Sequence, residues 1–247
     1  MARLSEIFDA PDAEVTFQSC DGMLFGIHRL NLQINTEGFA APEFSTAGEI
    51  VALTESSATL ELLFQFIYPR RHPVLDDIPF DHLAALAEAA EKYQVFAAMS
   101  VCRLHMRDVL PDHAPEVLTY AAKHDYATLV HAAAPFTFDV PLASVVAMLP
   151  QHLILPWVRY HDAWNALLNA AISEYQGAHC AQCRFWRAQR PAIAQQFGHA
   201  LRSLRRLDEI FADRGEKPPT CCEDAKLLWR TEIEQGMKAI PSFTSFV

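Results

Sequence analysis

Asp12-Ala13-Glu14-Val15-Thr16-Phe17-Gln18-Ser19-Cys20-Asp21-Gly22-Met23-Leu24-Phe25-Gly26-Ile27-His28-Arg29 is the stretch that decides the fold. Ala13 to Phe17 alternates, Asp21-Gly22 supplies a turn, and Met23 to Ile27 reads as a second strand, so the stretch predicts a β-hairpin. A third short strand is expected at Glu49-Ile50-Val51-Ala52-Leu53, after a Gly-, Pro- and Ser-bearing segment from Gly38 to Gly48. Near residue 57 the period changes from 2 to 3.6. Leu60, Leu63, Phe64 and Ile67 fall at i, i+3, i+4 and i+7, and Tyr68-Pro69 ends the helix they imply. Phe80, Leu83, Leu86, Ala87, Ala90 and Tyr93 repeat that spacing behind Pro79, a good helix start.

Beyond about Asp108 no strand-like alternation of any length remains, and the spacing predicts helices alone. Pro115 opens one that runs to Ala122. Trp157, Tyr160, His161, Trp164, Leu167, Leu168 and Ala171 form a broad apolar stripe, the face of a helix packed on others. Phe197, Leu201, Leu204 and Phe211 predict a further helix. Asp213 to Pro219 reads as a linker, and Gly236 and Pro241 predict an extended tail. The expected class is α+β: a small sheet with a helical cluster over residues 11–107, an all-helical domain over 108–235, and a tail over 236–247.

The residues of the first hundred also carry a resemblance. Asp12 to Phe17, Ser19, Asp21-Gly22, Phe25 and His28-Arg29 with Leu32 resemble the opening of the BTB/POZ domain. Leu53-Thr54-Glu55, Leu60 to Phe64, Phe66-Ile67-Tyr68 and Leu86 to Tyr93 with Val95 continue the match in order. The chain as a whole is similar to BTB proteins common in mushroom-forming fungi. That resemblance implies a BTB/POZ fold over residues 11–107 and a protein-binding adaptor or scaffold without catalysis. Two departures bear on partners. About ten residues precede Asp12, too few for the helix and strand that many BTB domains exchange between subunits, so a strand-exchanged homodimer is not expected. Cullin-recruiting members carry a bulky-apolar-x-Glu motif after the loop near Phe39. Here Ala41-Pro42-Glu43 stands in its place, which argues against cullin binding.

Composition narrows the remaining function classes. The chain has 247 residues, 51% of them hydrophobic, and only 8 Gly, so it has the apolar mass for a folded core and excludes a low-complexity or collagen-like protein. With 20 Lys+Arg against 30 Asp+Glu its net charge is −10, which argues against nucleic-acid binding over the whole surface. Met1 to Asp9 carries acids and no apolar core, unlike a signal peptide. The longest uncharged run, Val140 to Val158, is broken by Pro141, Pro150 and Pro156, so no membrane span is expected and the reading is an intracellular protein, cytoplasmic or nuclear.

Motifs for chemistry are few. G-x-S-x-G, G-x-G-x-x-G, the P-loop and H-E-x-x-H are all missing from the sequence, which leaves no motif in favour of an enzyme. Asp76-Asp77 reads as a solvated turn, and His28 as a hydrogen-bonded histidine opening a helix. Six cysteines are too few for a disulfide scaffold. His179-Cys180-Ala181-Gln182-Cys183 does give two thiols at C-x2-C spacing, and Cys221-Cys222 follows after 37 residues. Cys180, Cys183, Cys221 and Cys222 could complete a structural zinc site, the one cofactor the sequence suggests; a reducible disulfide or plain buried thiols fit as well. Adjacent cysteines rarely both face one metal, so His179 or one of the pair is expected to finish the shell.

Between Tyr175 and Leu207 lie six arginines, Arg184, Arg187, Arg190, Arg202, Arg205 and Arg206, and no acid. Phe185, Trp186 and Phe197 interleave with them. Two readings stand: cations that pair with the acidic remainder or with solvent, and a nucleic-acid surface for a regulator. The leading expectation is a protein–protein interaction module whose partner is not specified by sequence, with the Trp157 to Ala171 helix and the arginine segment as the contact candidates.

Overall fold

The computed structural model describes residues 3–39, 50–173, 183–198, 200–212 and 219–247. The chain divides into two compact units, Met1–Asp112 and His113–Val247. The boundary therefore falls later than residue 107, and the first unit takes in the N-terminus that a domain starting at residue 11 leaves out.

In the first unit β1 (Arg3–Leu4), β2 (Val15–Gln18), β3 (Met23–Ile27) and β4 (Ile50–Ala52) form one mixed sheet in the order β1-β3-β2-β4. The hairpin is as the alternation predicts: Val15 faces Ile27 and Phe17 faces Phe25 across an antiparallel ladder. Its turn needs Gly22, whose φ is 85°, and the Ser19 hydroxyl closes it by accepting from the Met23 N–H at 2.9 Å. β1 pairs in parallel with β3 of its own chain. It escapes detection in the sequence because a two-residue strand has no period.

The inward face of the hairpin meets α2 (Ser57–Gln65), which follows α1 (Arg29–Asn35) and β4. The Ser56 hydroxyl caps α2 by accepting from the Thr59 N–H. Leu60, Leu63, Phe64 and Ile67 are fully buried, as their spacing requires. Phe64 touches the rings of Phe8, Phe17, Phe25 and Phe39 at centroid distances of 5.4 to 6.2 Å. α3 (Phe80–Lys92) starts behind Pro79, and α4 (Phe96–Asp108) packs against it. Gly38 lies so close to the end of α3 that a Cβ there would sit 2.6 Å from Tyr93 Cα, and Phe39 then stacks on the Tyr93 ring at 4.4 Å. The Tyr93 hydroxyl donates to Glu55 at 2.6 Å, and Lys92 pairs with the same carboxylate at 2.7 Å.

The second unit is helical: α5 (Ala114–Lys123), α6 (Ala127–Ala133), α7 (Leu142–Met148), α8 (Gln151–Ser173), α9 (Arg184–Phe197), α10 (Leu207–Ile210) and α11 (Thr220–Ala239), with 3-10 turns at Ala134–Asp139, Leu201–Arg205 and Phe243–Ser245. α8 buries Trp157, Tyr160, Leu168 and Ala171, and Trp157 donates from its indole to the buried Thr137 hydroxyl at 2.9 Å. At the far end of α8 the Trp229 indole donates to the Ala171 carbonyl, also at 2.9 Å.

Two expectations need correction. Phe197, Leu201, Leu204 and Phe211 are all buried but do not share a helix: Gly198 takes φ 56° and ends α9, and a 3-10 turn and the short α10 follow. The tail over 236–247 is not extended either. α11 continues through Gly236, where a Cβ would stand 2.4 Å from Leu167 Cδ1 of α8, so this glycine serves a close helix crossing and not a break. Beyond Pro241 the chain folds back, with Phe243 fully buried and Phe243 and Phe246 edge-on to Tyr160. Among the described residues no helix is long and apolar enough to cross a membrane.

Because four rings converge on Phe64, Phe64→Ala is expected to cost about 3–5 kcal/mol, measured by urea denaturation; a loss under about 1 kcal/mol would show that the site collapses around the gap. Asp21 supplies a pH-dependent term. Hydrogen bonds from the Ser19 and Ser57 hydroxyls and from the Ser57 N–H hold its carboxyl down at about 2, below the ordinary 3.8. A depressed carboxylate stabilises the fold above its unfolded value, and that contribution is lost as pH falls from 3.8 towards about 2. Wild type should exceed Asp21→Asn in urea midpoint at neutral pH, and the gap should close near the bottom of that window.

Candidate functional site

The chemistry-bearing cluster of the second unit forms where two helices begin. Cys183 stands just before α9 in extended conformation, and Cys221 and Cys222 lie in the first turn of α11, which Pro219 opens. The three Sγ atoms lie within 4.8 Å of one another, and those of Cys183 and Cys222 are 3.3 Å apart. Both members of the adjacent pair therefore face Cys183, against the expectation that only one could. Successive helical residues point about 100° apart, so a sulfur lying between the two directions is reached from both. Cys180 and His179 lie outside the described residues.

Electrostatics at the cluster are asymmetric. The backbone N–H of Trp186, at the start of α9, and the Cys222 thiol hold the Cys183 thiol below its usual range. Burial pushes the Cys222 thiol up to about 12, and the hydrogen bond it shares with Cys183 adds to this. Either sulfur can donate across the 3.3 Å contact. Beneath the sulfurs, Trp186 and Trp229 meet edge to face at 6.3 Å within a core shared with Phe197 and Phe211. Three convergent thiols can hold a metal ion as thiolates, a donor set that suits soft or borderline metals. Cys102, in the first unit, is an isolated thiol that burial pushes up to about 12.

Two of the arginines of the segment are held by acids of their own unit. Arg205 donates to the Pro135 carbonyl at 3.1 Å, pairs with Asp139 and lies 4.6 Å over the Phe136 ring. Arg206 is paired with Glu209, its Nε 3.0 Å from the carboxylate. Arg187 and Arg202 are exposed and Arg190 is half-buried, while the side chain of Arg184 lies outside the described atoms. Arg230, which the sequence reading passes over, joins Asp208 and Glu234, each at 2.7 Å. The apolar stripe of α8 is spent within its own unit, leaving Leu155 and Val158 as its exposed apolar side chains.

In the first unit His28 precedes α1, and its Nδ1 is 2.9 Å from the Tyr68 hydroxyl and its Nε2 3.3 Å from Asp12. Asp76 and Asp77 lie in an exposed turn, and Ala41-Pro42-Glu43 falls outside the described residues. Leu30 and Ile34, one turn apart on α1, are 63% and 64% exposed. They border a groove whose other walls include Phe66, Tyr68, Arg70 and His72. No known protein-family model matches the chain, and no curated protein matches its sequence.

The two classes of arginine make a direct comparison. Arg205→Ala removes an ion pair, a carbonyl bond and a ring contact, and is expected to cost about 1 kcal/mol. Arg202→Ala should stay within about 0.5 kcal/mol of wild type. Thermal denaturation of both variants at low and high salt checks this, and equal losses would show that Arg205 is no better held than its exposed neighbour.

Proposed function

We propose that this chain is a protein–protein interaction module, an adaptor or scaffold of the BTB/POZ kind that works by binding. The observation that carries the reading is the exposed apolar pair Leu30 and Ile34 on α1, beside a groove of aromatic and cationic residues. Scattered exposed leucines are ordinary on any surface. Two at one-turn spacing on one helix, both lining the same groove, form a paired apolar patch that a partner can cover. The motif resemblance over residues 11–107 supports the same reading.

The nucleic-acid alternative has less support, because Arg205 and Arg206 spend their charge on Asp139 and Glu209. An oligonucleotide titration at two salt concentrations should therefore give little binding at either, whereas affinity that falls steeply with salt would favour that alternative.

The test of the main reading is quantitative affinity purification from the native host with the wild type and Leu30→Asp/Ile34→Asp. The charged pair sits on exposed positions, so the variant should melt within a few degrees of the wild type. A protein recovered in stoichiometric amount by the wild type and lost with the variant is the expected result. Recovery of no stoichiometric protein by the wild type would overturn the proposal.

A further inference from the structure

We infer that Cys183, Cys221 and Cys222 form a structural zinc site that ties the start of α9 to the start of α11. The inference stands apart from the interaction reading, since it concerns how the helical unit is closed and not what it binds.

Three observations carry it. The first is distance. Zn–S bonds of about 2.3 Å in a tetrahedron set neighbouring sulfurs about 3.8 Å apart. The observed separations, 3.3 Å for Cys183 and Cys222 and none beyond 4.8 Å, lie within about 1 Å of that figure. The second is origin. The three sulfurs come from two segments almost forty residues apart and from two different helix starts, so their meeting is a product of the tertiary fold and not of local sequence. The third is placement. Cys222 is buried at the edge of the Trp186–Trp229 core, and Cys183 and Cys221 pack against the same core, so an ion bound there would be walled off on its inner side.

The donor set decides the metal class. Three sulfurs without a carboxylate among them disfavour magnesium and calcium, which take oxygen, and suit a borderline divalent ion. Three thiolates supply three of the four tetrahedral positions. Binding displaces the thiol protons to solvent, and each Sγ bonds to the ion as thiolate; no electron moves and no oxidant is required. An ion held by these three thiolates cross-links two helix starts, so its contribution is to stability.

The experiment uses the full chain, expressed with zinc in the medium and freed of loose ions by gel filtration. Elemental analysis should return a stoichiometric zinc ion, which mercurial titration of the thiols releases. Cys183→Ser/Cys222→Ser should lower bound zinc about tenfold or more, while Cys102→Ser, in the other unit, should retain it. Chelation should lower the melting temperature of the wild type and leave that of the double variant unchanged. Should the double variant fail to fold, cobalt added to the stripped wild type still decides: sulfur-to-cobalt charge-transfer bands with tetrahedral visible bands are expected. A wild type that emerges without zinc, takes up no cobalt and offers all its exposed thiols freely to a disulfide reagent would overturn the inference, as would copper or iron in place of zinc.

Discussion

The first unit is organised by the demand that one ring, Phe64, be surrounded by others. Phe8 arrives from the N-terminal segment, Phe17 and Phe25 from facing positions of the hairpin, and Phe39 from the segment after α1. None of these segments could bury its own aromatic face alone, and each completes the burial of the others. Edge-on and tilted geometries prevail over flat stacking among them, in keeping with the ring quadrupole. The packing of the hairpin on α2 and the burial of Phe39 beside Tyr93 both fill the space around this ring.

Polar residues then fix what packing leaves loose. Glu55, at the mouth of α2, accepts from the Tyr93 hydroxyl and pairs with Lys92, linking the end of α3 to the segment that follows β4. Asp21 reaches from the hairpin turn to the first residue of α2. In the second unit the same economy governs the cations: Arg205, Arg206 and Arg230 are held by Asp139, Glu209, Asp208 and Glu234. A chain with net charge −10 has acids in excess, and these pairings place three of its cations among them.

How far the sequence is legible depends on how local each cause is. The hairpin, α2, α3 and α8 could be read because alternation, heptad-like spacing and Pro positions act within a few residues. β1 is too short for any period to register. From Phe197 to Phe211 buried residues recur at helical spacing while Gly198 turns the chain, and an apolar pattern alone does not distinguish the two. At Gly236 the sequence does not separate a glycine that ends a helix from one beside which a neighbouring helix packs, and only Leu167 tells them apart. At the cysteines, sequence could pair the C-x2-C segment with the distant pair but could not tell that both Cys221 and Cys222 face inward. Asp139, the partner of Arg205, and Asp208, one partner of Arg230, lie far along the chain where no spacing rule points, whereas Glu234 stands at the i+4 position from Arg230.

The Ala171 carbonyl of α8 accepts from the indole of Trp229, a donor 58 residues further along the chain. The bond is buried, so both of its polar atoms are taken from water only when the long helix and the closing helix of the chain are side by side. The second unit is therefore stitched across its length by a polar contact that neither helix can make by itself.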